Sequence, residues 1–126
     1  MQLTVQYGAQ ERGARRATGT RAVSRRGLPA RASLLTWAKA ALARPAKATV
    51  TIRFVGRREG RSLNRTYRRR DYATNVLTFA YSRDAGDFVL CAPVVAVEAR
   101  AQRKLVRPHY AHLVVHGLLH LQGFDH

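Results

Sequence analysis

Apolar and polar positions alternate with period two in Leu3-Thr-Val-Gln-Tyr7 and in Ala48-Thr-Val-Thr-Ile-Arg-Phe-Val55, which predicts two strands. Asn75-Val-Leu-Thr-Phe-Ala80 and Asp87-Phe-Val-Leu-Cys91 flank a turn at 82–86 and predict a hairpin. Elsewhere the period lengthens to that of a helix. Pro29 opens one that runs to about Ala43, with Leu34, Leu35, Trp37, Ala38 and Leu42 as its buried stripe and Pro45 as its stop. Gly60 to about Arg69 reads as a short basic helix, and Pro93 to about Lys104 as another. Pro108 restarts the chain into a last helix that reaches about Leu121 and is ended by Gly123. Residues 8–27 hold six arginines and almost no large apolar side chain, and predict an exposed, mobile loop. Its composition is like a transit peptide's, but it follows a strand, so targeting is the minor reading. The expected fold class is α/β (α+β-like): one domain over 1–126, a small mixed sheet of about four strands packed with about four helices, and a metal site on the C-terminal helix.

Charge sharpens this picture. The chain has 126 residues, with 23 Lys and Arg against 7 Asp and Glu, a formal net charge of +16. Such an excess implies a polyanionic partner. No apolar run approaches the ~18 residues of a transmembrane helix, and membrane association is not expected. Met1 to Tyr7 lacks the basic and apolar regions of a secretory signal. The single cysteine, Cys91, forms no internal disulfide, which agrees with a reducing cytoplasm. The expectation is a cytoplasmic protein that seeks anions.

The chemistry lies at the C-terminus, His112-Leu-Val-Val-His116-Gly-Leu-Leu-His120-Leu-Gln-Gly-Phe-Asp-His126. His116 and His120, four apart, project from one helix face about 40° around from each other. Gly123 lets the chain turn back, so His126 can reach the same ion. Three neutral imidazoles leave a fourth position for water, the arrangement of a catalytic zinc. One zinc ion per chain is expected, although imidazoles also accept nickel and other divalent ions. A His pair at i, i+4 is common and usually means nothing; the added glycine and third histidine weigh against chance. The spacing is also that of metzincin proteases. Gly117 stands where their general-base glutamate would be, and with only Met1 in the chain the Met-turn is missing, so peptide hydrolysis is disfavoured.

These residues resemble the YbeY family, bacterial rRNA maturation factors and single-strand-specific endoribonucleases. The signature His-Gly-x-x-His-x-x-Gly-(Phe or Tyr)-Asp-His is matched throughout 116–126. Further blocks are Leu63-Asn-Arg-Thr-Tyr-Arg68-Arg-Arg-Asp71 with Thr74-Asn-Val-Leu-Thr-Phe79, and Gly86-Asp-Phe-Val-Leu-Cys91. The resemblance covers roughly 28–126. It implies zinc held by His116, His120 and His126, an active-site arginine at Arg68, and work on rRNA in small-subunit maturation and ribosome quality control. The family continues past the third histidine into an acidic helix, whereas this chain stops at His126; its α-carboxylate is then expected beside the metal, where it competes for the water position.

Phosphodiester cleavage needs an activated nucleophile, neutralisation of phosphoryl charge and a route for the leaving oxygen's proton. Zinc suits the first and Arg68 the second, because a guanidinium grips phosphate through paired hydrogen bonds; on charge alone Arg68 is one more solvated cation beside Arg65, Arg69 and Arg70, the arginines expected to bind RNA phosphates. His112, one turn before His116, is either a proton carrier or a neighbour packed beside the site. His109 is expected on the surface. Asp125 either orients a ligand imidazole or ends the helix, while Asp71 and Asp87 read as structural. Cys91, Trp37, Phe54, Phe79 and Phe88 are expected in the core. At least two of Tyr67, Tyr72 and Tyr81 are expected to pack, with stacking on unpaired bases the alternative. A second basic tract is Arg100, Arg103, Lys104 and Arg107. The leading reading is a zinc-dependent endoribonuclease. Its rivals are a non-catalytic ribosome-associated RNA-binding factor with a structural metal and, less favoured, a zinc peptidase. The RNA site cut, the nucleophile (water or 2′-hydroxyl) and the oligomeric state are not legible.

Overall fold

The computed structural model describes residues 1–8 and 27–123. The loop expected at 8–27 therefore lies, from 9 to 26, outside the described residues. Four strands, β1 (Gln2–Tyr7), β2 (Thr49–Val55), β3 (Val76–Ser82) and β4 (Ala85–Cys91), form one mixed sheet in the order β1-β2-β4-β3. β1 and β4 both pair with β2 in parallel, and β3 pairs with β4 antiparallel, as the hairpin required. The helices are α1 (Arg31–Ala41), α2 (Arg57–Arg68), α3 (Ala92–Ala101) and α4 (Val106–Leu121). The α/β class and the strand and helix numbers are those the pattern predicted.

Strand alternation sorts the helices onto two faces. Phe88 and Leu90 of β4 join Val50, Ile52 and Phe54 of β2 in the larger core, with Leu34 and Ala38 of α1 and Tyr110, Val114 and Leu118 of α4. Val89 and Cys91 point to the other face, where Leu63 of α2 packs on a smaller cluster. β1 is tied to the start of α1, where Tyr7 Oη donates to the Pro29 carbonyl at 3.0 Å and Arg31 Nη2 to the Leu3 carbonyl at 3.0 Å.

Several boundaries differ from the sequence reading, each for a tertiary or backbone reason. The basic helix starts at Arg57, not Gly60. Gly60 sits inside it because an added Cβ would lie 3.0 Å from Cys91 Sγ, so only glycine lets α2 approach β4. The hairpin turn is tighter than expected and β4 begins at Ala85, placing Gly86 within the strand. There a Cβ would meet Leu121 Cδ1 at 2.8 Å and the Phe79 carbonyl at 3.1 Å. α3 ends at Ala101, before Arg103 turns left-handed with φ 57°. Pro108 lies in the first turn of α4, where its missing N–H costs nothing. Beyond α1, Pro45–Lys47 forms a short 3-10 turn.

Two core assignments are corrected. Trp37 and Phe79 are only half-buried. Trp37 lies under the Arg107 guanidinium, 5.5 Å from its ring centroid, and Phe79 lies on the side of β3 that α2 covers only in part. Phe54, Phe88 and Cys91 are buried as expected.

Candidate functional site

α4 carries two faces of opposite character. Tyr110, Val114, Leu118 and Leu121 point into the core, while His112 and His120 are exposed and His116 is half-buried. The three imidazoles form a row, with ring centroids 5.1 Å apart for His112 and His116 and 5.0 Å for His116 and His120. Two imidazoles bound tetrahedrally to one zinc at nitrogen distances of about 2.0–2.1 Å bring their centroids to about 5 Å. The spacing of His116 and His120 is compatible with a shared ion, and that of His112 and His116, one turn earlier, is the same within 0.1 Å. His126 lies outside the described residues, and among the described residues no group of three His, Cys, Asp or Glu is disposed to hold a metal.

Gly117, between the two histidines, is a packing position. A Cβ there would meet Phe88 Cε2 at 3.0 Å and Cζ at 3.2 Å, and Phe88 is fully buried. α4 thus lies against β4 where a protease would carry its glutamate, and the site has no room for that base.

The end of α4 is set by a residue the sequence reading passed over. Gln122 is buried; its Nε2 donates to the Ala41 and Leu118 carbonyls at 2.8 and 2.9 Å, and its Oε1 accepts from the Ala43 N–H at 2.7 Å. It clamps the end of α4 to the end of α1 and fixes where the chain leaves the helix. Gly123 follows at φ 90°, the left-handed conformation that a helix-ending glycine provides.

His109 corrects the expectation of a surface residue. It is 4% exposed, with Nε2 3.0 Å from Glu98 Oε1, which also accepts from Asn75 Nδ2 at 3.1 Å. The three side chains link α4, α3 and the approach to β3. Spacing along α4 put His109 off the histidine row; it could not show that α3 covers that side.

Arg68 ends α2 beside the edge strand. Its Nη2 donates to the Thr78 carbonyl at 2.9 Å and its guanidinium stands 5.7 Å from the Phe79 ring centroid. α4 packs against β3 as well, so Arg68 and α4 meet the same edge strand from the two faces of the sheet. Arg69 caps α2 in the left-handed conformation, φ 60°. The turn is held by buried Asn64, whose Nδ2 donates to the Tyr72 carbonyl at 2.8 Å and whose carbonyl accepts from Arg70 N–H at 3.3 Å. Arg61 makes two hydrogen bonds to Asp71, at 2.8 and 3.0 Å, and Arg65 lies 3.7 Å from it. The Arg61 bond holds the Asp71 carboxyl below its ordinary range. Among the described residues, no carboxylate is paired with Arg68, Arg69 or Arg70.

The tyrosines are more exposed than expected, although Tyr67 still meets Phe79 edge-on at 5.3 Å. Tyr67, Tyr72 and Tyr81 are 59, 52 and 68% exposed. Asp87 lies within β4 and accepts a hydrogen bond from Tyr81 Oη at 2.7 Å. No helix among the described residues is long and apolar enough to cross a membrane.

Comparison with known proteins bears on this geometry. The family model described as endoribonuclease YbeY matches residues 24–126. A curated endoribonuclease YbeY from Cupriavidus necator is 60% identical over 107 residues, which covers 81% of this chain and 53% of that protein. The one from Ralstonia nicotianae is 47% identical, covering 100% of this chain and 64% of its own. The chain thus spans between about half and two-thirds of these relatives' length. Among solved structures, the solution structure of TM1509 from Thermotoga maritima matches with a TM-score of 0.61 at 25% identity, covering 98% of this chain and 74% of that one.

Proposed function

The chain belongs to the YbeY family, and from that premise we propose that it is a zinc-dependent, single-strand-specific endoribonuclease acting in small-subunit rRNA maturation and ribosome quality control. The observation that carries the reading is the pair His116 and His120, whose centroids lie 5.0 Å apart on the outward side of α4. His116, His120 and His126 would hold the ion. When bound, zinc supplies an acidified water and a Lewis acid for a phosphoryl oxygen.

The chain's own groups do the rest. Among the described residues Arg68 donates through Nη2 to the Thr78 carbonyl; its remaining N–H donors grip phosphate oxygens, where a planar guanidinium binds in paired fashion. His112, exposed one turn before His116, carries the proton of the leaving oxygen. Arg65, Arg69 and Arg70 neutralise backbone phosphates, so affinity falls steeply with salt. The Gly117 contact with Phe88 speaks against a peptidase. Cytoplasmic work with the ribosome is supported by the net charge of +16 and the single cysteine.

The test is cleavage of a labelled single-stranded RNA by wild type and His116→Ala, purified identically, with zinc content measured on both. Cleavage by wild type alone, with loss of zinc from the variant, is expected. Equal cleavage by both, or none by either, overturns the reading and leaves a non-catalytic RNA-binding factor.

A further inference from the structure

Away from the histidine row, on the face of the sheet that bears α2, there is a groove of about 400 Å³. That is within the ~300–1,000 Å³ of small-ligand sites. Four aromatic residues line it, Tyr67, Phe79 and Tyr81 with the fully buried Phe88 at its floor, together with Arg53 and Asp87. Tyr67 meets Phe79 edge-on at 5.3 Å, and Arg68 covers the Phe79 ring from outside at 5.7 Å. Two of these rings, Tyr67 and Tyr81, are more than half exposed. Alternation along β4 separates this groove from α4, since Val89 faces α2 while Phe88 and Leu90 face α4.

Exposed aromatic faces beside a strongly basic helix select an unusual ligand. It must offer flat apolar surfaces and closely spaced negative charges together. α2, which gives Leu63 and Tyr67 to the groove, exposes Arg57, Arg58, Arg61 and Arg65, and its cap exposes Arg69. Single-stranded RNA has both properties, because its bases are free to leave the stack while its phosphates follow a basic wall. A duplex cannot present a base face to a groove of this kind.

We propose that the groove is a base-binding site for single-stranded RNA, distinct from the histidine face, with an unpaired base stacked at Tyr81 and Tyr67 and the adjoining phosphates on the α2 arginines. Asp87 gives the site a preference. Tyr81 Oη holds Asp87 Oδ2 at 2.7 Å and so fixes the carboxylate within the groove. A carboxylate accepts from the exocyclic amines of cytosine and adenine, which uracil lacks. The site therefore favours adenylate and cytidylate over uridylate. The inference rests on the RNA-directed reading above but needs no cleavage.

The experiment measures binding of short labelled oligoadenylate, oligocytidylate and oligouridylate to the full chain, each oligomer checked intact by gel afterwards. Tyr81→Ala is expected to weaken oligoadenylate binding by about 5- to 100-fold, the effect of losing one stacking ring, with the salt slope unchanged. Tyr81→Phe should restore most of that affinity. Asp87→Asn should narrow the preference for adenylate and cytidylate over uridylate. Wild-type affinity in Tyr81→Ala overturns the proposal, as does an abasic oligomer of equal length binding as tightly as oligoadenylate. Loss of acidic-peptide binding in Tyr81→Ala, with RNA binding intact, also overturns it and assigns the groove to a polypeptide. RNA bound through Tyr81 but never cut would defeat the nuclease reading and leave this one standing.

Discussion

Gly117→Ala puts the closeness of α4 to the sheet under direct test. In an open helix the change would favour folding by up to about 1 kcal/mol, since glycine surrenders more backbone freedom than alanine. Here the new methyl would lie 3.0 Å from Phe88 Cε2 and 3.2 Å from Cζ. Phe88 is fully buried within the larger core, so its ring must shift by a few tenths of an ångström to admit the methyl. Overfilling a closed core costs about 1–3 kcal/mol. The middle of that range, set against the propensity gain, leaves a net loss of about 1 kcal/mol. For a chain of this length the melting temperature should fall by about 3–6 °C. Calorimetry on the wild type and variant measures it, with urea unfolding as a second determination. Gly117→Glu, which restores the protease residue, should lose more stability and gain no peptidase activity. An unchanged or raised melting temperature in Gly117→Ala would refute the reasoning, because it would mean that Phe88 yields and that the position is free for another side chain.

Ala30 caps α1 with extended dihedrals but makes no side-chain hydrogen bond, so Ala30→Asp should add about 1 kcal/mol, read as a higher urea midpoint with an unchanged slope. Cys91 is 2% exposed and burial pushes its thiol pKa up; it should resist a thiol reagent in the native protein and react fully in urea. The hydrogen bond to Asp87 raises the Tyr81 pKa above its ordinary 10.0. A raised pKa means that this contribution to stability is complete below the ordinary value and is lost as pH rises through the folded one. Ultraviolet titration should accordingly find one phenol ionising at lower pH in Asp87→Asn than in wild type, and identical curves would refute the bond.

Local pattern was enough for much of this molecule. Period-two alternation placed β1 and β2 within a few residues, and the two apolar runs flanking a turn, Asn75–Ala80 and Asp87–Cys91, placed β3 and β4 and already implied their antiparallel pairing. The i, i+4 spacing of His116 and His120 implied neighbouring rings, which lie 5.0 Å apart. Such features depend on backbone geometry over a few residues, so no distant partner is needed to read them.

Tertiary structure decided what lies opposite each surface. His109 and His112 are both histidines near the start of α4, yet α3 and Glu98 cover one and leave the other in water. Glycines 60, 86 and 117 look alike in sequence; only the facing Cys91, Leu121 and Phe88 show that a larger residue at each would crowd a packed neighbour. Asn64 and Gln122 carry no motif, and their roles arise from carbonyls at Tyr72 and Ala41 that chain folding brings to them. The strand order β1-β2-β4-β3 puts β3 at the edge, where Arg68 and α4 meet it from opposite faces. Periodicity tells a residue which way to point along its own element; burial, pairing and the contents of a groove depend on the element that arrives across from it, whether 8 residues away, as Tyr72 is from Asn64, or 81, as Ala41 is from Gln122.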